Sequence, residues 1–506
     1  MARRARAAPP LGIMLDASQP ETLQRQLGEQ LRRAILERRL AAGTKLPSSR
    51  LMAAELDCAR GTVVAAIEQL AAEGYVIARA GAGTFVAADL PDEMLVASDG
   101  GGRVAGATDE EPVLPERTRA ALARDPAEEE RIGELPIAFP IGQPDRLAFP
   151  FPLWAKLLEQ EWRRPAWQVA GAPHPFGHPG LRAAIASYLG AARGFACEPR
   201  AVVITSGVRQ SVSLFARVAL APGDDVWIEE PGYPGMGEAL AAAEVRKVPV
   251  PIDGSGFSPE AALALAPEAR LAVVAPAHQF PLGTVLSLQR RLALLNWAER
   301  TRGWIVEDDF DGEYRYSGRP LAPLRALDRS GRVAYLGSFS KLLFPALRLS
   351  FIVLPGSLVA ATERIMAGIS ARASLLGQGA LARFIAEGHL AAHLRRTRLL
   401  YAGRQQVLIA AAERHLSRLL EIAPDPGGMH LIARPHPALG PKFDDLAATE
   451  AAEEAGVRVS PLSGCYGGSR KEHGLILGYA GTPEAEIEPA IKRLRGVVGG
   501  LSRPSP

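Results

Sequence analysis

The stretch that most constrains this chain runs from Trp304 to Ser350: WIVEDDFDGEYRYSGRPLAPLRALDRSGRVAYLGSFSKLLFPALRLS. Three apolar runs, residues 304–308, 332–337 and 348–354, are each bounded by turn residues, the pattern expected of short buried strands in a parallel sheet. Chemistry gathers at their ends. Asp308 closes the first run, and the second leads into Ser338, Phe339, Ser340 and Lys341. A lysine held beside apolar and cationic neighbours can lose its proton and form a Schiff base with an aldehyde. Alone, such a lysine is an ordinary solvated side chain. Its company singles it out: an acid, two hydroxyls, and Arg348 seven residues further on.

EDDFD followed by GSFSKLLFPALRLS resembles the pyridoxal-phosphate enzymes of the aminotransferase class I, fold-type I group, in the version carried by MocR-type transcriptional regulators. The resemblance implies that Lys341 forms the Schiff base with pyridoxal 5'-phosphate. It implies Asp308 as the acid that keeps the ring nitrogen protonated, and Ser338, Ser340 and Arg348 as phosphate contacts.

A chain of 506 residues has material for two or three domains. Its net charge of +3 sets up no global basic field, so any nucleic-acid site must be local. Cys58, Cys197 and Cys465 lack CxxC spacing and read as small apolar packing residues, with no metal site expected. No run of about 18 apolar residues occurs, so a cytoplasmic protein without a membrane segment is expected.

Residues 1–19 read as a basic flexible tail and residues 20–88 as a separate small domain. A helix opens at Pro20, Glu21 and Thr22 and places Leu23, Leu27, Leu31 and Ile35 on one stripe. A second helix follows a cap at Ser48 or Ser49, with Leu51, Met52 and Leu56 on its apolar face. The third covers about 59–73, with Val63, Ile67 and Leu70 facing inward. Residues 74–79 and 83–87 pair as a hairpin, or wing. Bland alternatives exist, such as a small helical interaction domain with solvated arginines. However, LPSSRLMAAELDCARGTVVAAIEQLAAEGYVIARAGAGTFVA resembles the winged helix-turn-helix of the GntR family throughout. The resemblance implies that Arg50, Arg60 and Thr62 meet double-stranded DNA and that Gly81 and Thr84 place the wing near the minor groove. Gly61 departs from the polar residue usual at its position.

Residues 89–135 are rich in Gly, Pro and acid and read as a flexible linker. From residue 136 to the end, strands and helices alternate. This predicts an α/β aminotransferase-like domain: a large part with a mainly parallel sheet, residues 136–385, and a small C-terminal αβ part, residues 386–500. Long helices are expected over 357–387 and 389–419, and small-part strands over 429–433, 458–461 and 475–478. A strand over 201–204 ends in Thr205, Ser206 and Gly207. That turn, opening a helix, would present amides to a phosphate. Tyr233, in PGYPG, would lie on the cofactor ring.

Several positions depart from the enzymes of the group. Phe280 and Phe310 stand where a hydrogen-bonding Asn or Tyr usually holds the ring hydroxyl, and neither can donate. Phe176 stands where a tyrosine from a neighbouring subunit often reaches the phosphate, and His178 replaces an acid. GLILGYA lacks the arginine that usually grips a substrate carboxylate, and Gly235 lacks one found in some regulators. The expectation is therefore a homodimeric regulator that senses the cofactor itself or an amino-acid-like amine and controls vitamin B6 or amino-acid metabolism. Two alternatives stay open: an active aminotransferase with a regulatory head, and a body that merely dimerises.

Overall fold

In the computed structural model, which describes residues 12–79, 81–88, 114, 118, 138–165, 174–318, 322–439, 443–468 and 471–501, Thr22 starts the first helix. Its hydroxyl accepts the Arg25 amide and opens α1 (Leu23–Leu36). Leu27, Leu31 and Ile35 are buried, as their spacing predicts. Ser48 caps α2 (Ser49–Glu55), which buries Met52 and Ala53, while Leu51 points outward at 52 % exposure. A positive φ at Asp57 turns the chain into α3 (Arg60–Ala72), which buries Val63, Ala66 and Leu70. Antiparallel β1 (Val76–Arg79) and β2 (Gly83–Val86) form the wing. Residues 12–19, assigned to a flexible tail by their sequence, lie against α1. Gln26 and Gln30 bond the backbone of Asp16 and Met14, and Ile13 and Leu15 pack on the core, since apolar surface there has a place to hide. The basic residues 1–11 lie outside the described residues, as does the linker apart from Leu114 and Thr118.

Contacts divide the chain into two compact units, residues 1–114 and 115–506. In the second, α4 (Phe151–Trp162) and α5 (Pro179–Arg193) precede an eight-stranded sheet. Its strands are β3 (Val202–Thr205), β4 (Asp225–Glu230), β5 (Arg246–Asp253), β6 (Gly256–Phe257), β7 (Leu271–Val274), β8 (Trp304–Asp308), β9 (Val333–Ser338) and β10 (Ser350–Val353), in the order β3-β10-β9-β8-β7-β4-β5-β6. The run β9-β8-β7-β4-β5 is parallel. Helices α6 (Val208–Ala219), α7 (Pro234–Ala241), α8 (Pro259–Leu265) and α9 (Leu288–Thr301) link its strands.

Two expectations about this unit are corrected. The third apolar run of the key stretch is antiparallel, not parallel: β10 pairs antiparallel with both β3 and β9. Only residues 339–349 separate it from β9, too few for the dozen-residue crossover a parallel neighbour needs. Second, the helix expected over 357–387 is two, α10 (Val359–Gly368) and α11 (Gln378–Ala386). Ser370 and Gly377 hold left-handed conformations between them, and no helix passes through such residues.

The long α12 (His389–His415) leads into an antiparallel sheet of β11 (Leu420–Ile422), β12 (His430–Pro435), β13 (Ser460–Pro461) and β14 (Leu475–Gly478), ordered β11-β12-β14-β13. Helices α13 (Asp445–Glu454) and α14 (Glu484–Leu501) cover it. One apolar core joins Phe149, Leu181 and Tyr335 of the large part to Leu408, Leu477 and Ile491 of the small part. The head has its own core around Leu31, Met52 and Leu70.

Candidate cofactor site and DNA-contact surface

Strand β10 assembles the polar end of the site. Its first residue, Ser350, stands between Thr205 of β3 on one side and Ser338 of β9 on the other. The turn Ser206-Gly207 after β3 and the segment Ser338–Lys341 after β9 are thereby brought to the same end of the sheet. Gly207 has φ 151°, a conformation closed to most side chains, and precedes α6. Gln210 accepts the Ser206 amide at 2.6 Å, and Ser350 Oγ donates to Ser338 Oγ at 3.2 Å. Ser340 and Lys341 lie half-buried in a single helical turn, Phe339–Leu342. Arg348 sits in the left-handed region at φ 47°, exposed, and lies before β10 rather than in it.

Alternation along β8 sorts the acids of EDDFDGE. Glu307 accepts the amides of Leu324 and Arg325, and Asp309 takes the Tyr335 hydroxyl at 2.5 Å and Arg193 at 3.0 Å. Asp308, between them, points to the opposite face. It is 7 % exposed, and its Oδ1 has no hydrogen-bond partner among the described residues. Burial pushes its carboxyl up to about 7, against the pull of the Lys341 charge.

Lys341 Nζ lies 5.0 Å from the Phe310 ring centroid and 5.9 Å from that of Tyr233. Gly142 closes the approach from another side: a Cβ there would stand 3.1 Å from Nζ. Phe280 packs edge-on to Tyr233 at 6.1 Å and to Phe310 at 6.3 Å. The structure thus brings Lys341, Asp308 and Tyr233 together and gathers Ser206, Gly207, Ser338 and Ser340 at the sheet's end. Phe176 is fully buried in the core of its own chain, beside Arg182, and His178 is the N-cap of α5.

Sequence reasoning missed a buried ionic joint. His278 Nδ1 meets Asp311 at 3.0 Å and Nε2 meets Asp425 at 3.3 Å. Burial alone would lower His278, but the two carboxylates outweigh it and hold the imidazolium up to about 10. Asp425 comes from the small part, so the joint spans the body. Burial and the neighbouring His278 charge keep His430 down to about 4, where its Nε2 donates to the Pro281 carbonyl at 2.9 Å. Glu229 is likewise pushed up to about 8 by burial, with the Ala275 amide and Gln279 as partners. Nothing local in the sequence marks these residues, because each partner lies far along the chain.

On the head, Arg50 and Arg60 are exposed and Thr62 is half-exposed at the start of α3. Arg60 Nε donates to Ser49 Oγ at 3.2 Å, which ties α3 to α2. Gly81 has φ 73° at the tip of the wing, and Thr84 is half-exposed in β2. Lys45 and Arg79, not anticipated, flank the Phe85 ring of the wing at 5.9 and 5.0 Å. A Cβ at Gly61 would meet nothing within 4 Å, so the usual polar residue is missing for no steric reason.

With this geometry in hand, comparisons place the chain. Residues 137–494 match the model of aminotransferase class I and II, and residues 23–86 match that of bacterial regulatory proteins of the gntR family. The probable rhizopine catabolism regulatory protein MocR of Rhizobium meliloti is 42 % identical over 96 % of this chain and 95 % of its own. The pyridoxine biosynthesis transcriptional regulator PdxR of Corynebacterium glutamicum is 32 % identical, covering 95 % and 98 %. Among solved structures, the kynurenine aminotransferase of Pyrococcus horikoshii, crystallised in complex with PMP, superposes with a TM-score of 0.66 at 26 % identity, over 76 % of this chain and 95 % of that one. No helix among the described residues is long and apolar enough to cross a membrane. A gntR-type head joined in one chain to an aminotransferase class I and II body, matched nearly end to end by MocR, means that this chain belongs to the MocR-type subfamily of GntR transcriptional regulators.

Proposed function

We propose that the protein is a transcriptional regulator whose body takes pyridoxal 5'-phosphate at Lys341 and uses it to sense a small effector. Asp308 carries the reading. A buried carboxylate oxygen without a hydrogen-bond partner, opposite a lysine, is what a protonated ring nitrogen would satisfy. The other donors fit the same group. Gly207 before α6 and the hydroxyls of Ser338 and Ser340 suit a phosphate, with Arg348 exposed nearby, and Tyr233 offers a ring face beside Lys341. When bound, the cofactor supplies an aldehyde carbon that can pass from the lysine to another amine. The chain's part is to supply the Lys341 amine, to hold the ring-nitrogen proton at Asp308 and to keep water out with Phe280 and Phe310.

The same two phenylalanines disfavour steady turnover, since they offer no hydrogen bond where the group's enzymes place one. A second reading, an active aminotransferase, is kept because the solved relative is an aminotransferase. Turnover of an amino acid with a keto acid, abolished in Lys341→Ala, would establish it. Arg50, Arg60, Thr62, Gly81 and Thr84, joined by Lys45 and Arg79, are assigned to DNA, and a homodimer reads a two-fold operator. Genes of vitamin B6 supply fit the pyridoxine-biosynthesis relative, and amine catabolism fits the rhizopine one. An effector acts on the operator only if it binds the two states of the dimer unequally. The test is the visible spectrum of wild type and Lys341→Ala with added cofactor, followed by borohydride reduction and mass analysis. An adduct on Lys341 in wild type alone is expected. Identical spectra would sink the proposal.

A further inference from the structure

We propose that residues 138–143, the first described stretch of the body, carry the state of the candidate site to the linker. This rests on the reading of Lys341 above and adds to it the element through which an effector would act on the head. Sequence order puts this stretch just after the segment read as linker, and folding puts it against the lysine. Gly142 holds φ 64°, and a Cβ on it would stand 3.1 Å from Lys341 Nζ. Ala138 lies four positions earlier, a span of at most about 14 Å.

The stretch is fixed to the small part. Ala138 bridges Val457 in parallel, and its carbonyl accepts the Arg458 amide at 2.9 Å. Phe139 donates its amide to Thr482 Oγ1 at 2.8 Å and accepts the Gly478 amide at 2.9 Å. A Cβ at Gly478 would strike the Pro140 carbonyl oxygen, and one at Gly481 would come within 2.9 Å of that of Gln143. Asp145 then meets Arg404 of α12 at 2.6 Å in the interior. All these partners belong to the small part. Residues 138–145 precede the large part in sequence, yet they are built to move with β14 and α12.

Phe139, between the linker side and Gly142, is fully buried and holds φ 71°, a left-handed conformation that bulky side chains avoid. Such a residue persists only where its surroundings over-determine it, and residues of this kind gather at switch regions. Ile141 packs on the cluster of Leu462, Cys465 and Ile476, as does Phe280 of the site's wall. A free Lys341 amine and a substituted one leave unequal room beside Gly142, and a close-packed contact answers by shifting as a unit. That shift carries the small part and Ala138 with it, and so moves the point where the linker joins. The unequal fit of the two positions is the difference in affinity that coupling requires.

The test uses the full-length protein, a duplex selected from a random library for binding to it, and pyridoxal 5'-phosphate as the probe. In wild type the cofactor should change duplex affinity at least about fivefold, and the duplex should change cofactor affinity by the same factor. Thr482→Val removes the anchor of the Phe139 amide without touching the site. It should keep the visible band, hold cofactor affinity without DNA within about twofold, and bring the coupling factor towards one. Thr482→Ser, which keeps the hydroxyl, should restore the factor. In wild type, hydrogen exchange of peptides covering residues 138–143 and 475–482 should change together when cofactor is added. Full coupling in Thr482→Val overturns the proposal. So does a wild type whose duplex affinity responds to cofactor while exchange in both peptides stays the same. A wild type that forms the band yet binds the duplex equally with and without cofactor also overturns it, and leaves the reading of Lys341 intact. Wild type without any band would show instead that the parent reading had failed, and this one with it.

Discussion

Asp308 shows how a strand divides labour among acids. Glu307 and Asp309 spend their charge on amides and on Arg193, leaving Asp308 to face Lys341. The pair was legible because an acid at one strand end and a lysine at another are local patterns. Which carboxylate faces the lysine follows from strand alternation, but the missing partner of Oδ1 does not. Its titration has a sign. Burial raises Asp308 and Glu307 to about 7 and Glu229 to about 8. Unfolded carboxyls ionise near about 4. Between about pH 4 and 8 the folded chain therefore holds protons that the unfolded chain has released, and these groups lower stability as pH rises through that window. Asp308→Asn should stabilise the cofactor-free protein at pH 8 by roughly 2–4 kcal/mol, with no gain below about pH 4. It should also weaken cofactor retention at least about tenfold. Urea melts at several pH values and cofactor titration check both. On the head, Arg60→Ala should weaken operator binding and, if Arg60 meets phosphate, reduce the slope of log affinity against log salt by about one.

At the scale of elements, the sequence shows where strands lie more clearly than which way they run. The key stretch was read as three parallel strands because all three runs are uniformly apolar. The direction of β10 was set by the brevity of its connection, which periodicity does not register. Strand β5 went unread because Pro249 and Pro251 interrupt it. It tolerates them because, on the side away from β4, its neighbour is only the two-residue β6. The joint at His278 was out of reach for a different reason, since Asp311 and Asp425 lie 33 and 147 positions away in sequence. His278→Ala would leave the buried Asp311 and the partly buried Asp425 without their cation and should cost roughly 3 kcal/mol. For His278 the slope has the same sign as for the acids but lies in a higher window: its contribution is complete below about pH 6.5, the unfolded value, and is lost as pH rises through about 10. Wild-type stability should lose that contribution across this interval, and the mutant should show no such loss.

For the whole molecule, separate cores make separate melting units. The head is held by residues around Leu31, Met52 and Leu70, whereas one core runs through both parts of the body. Calorimetry should resolve two transitions. Added pyridoxal 5'-phosphate should raise only that of the body, by about 2.7 kcal/mol at a hundredfold excess over its dissociation constant. The order of the sheet also has a consequence for synthesis. Among the described strands, β3 pairs with β10 alone, almost 150 residues later. A growing chain on the ribosome must carry β3 without its strand partner until β10 has emerged, several seconds at usual elongation rates. A nascent chain can therefore finish its gntR-type head long before the residues of the candidate cofactor site can come together.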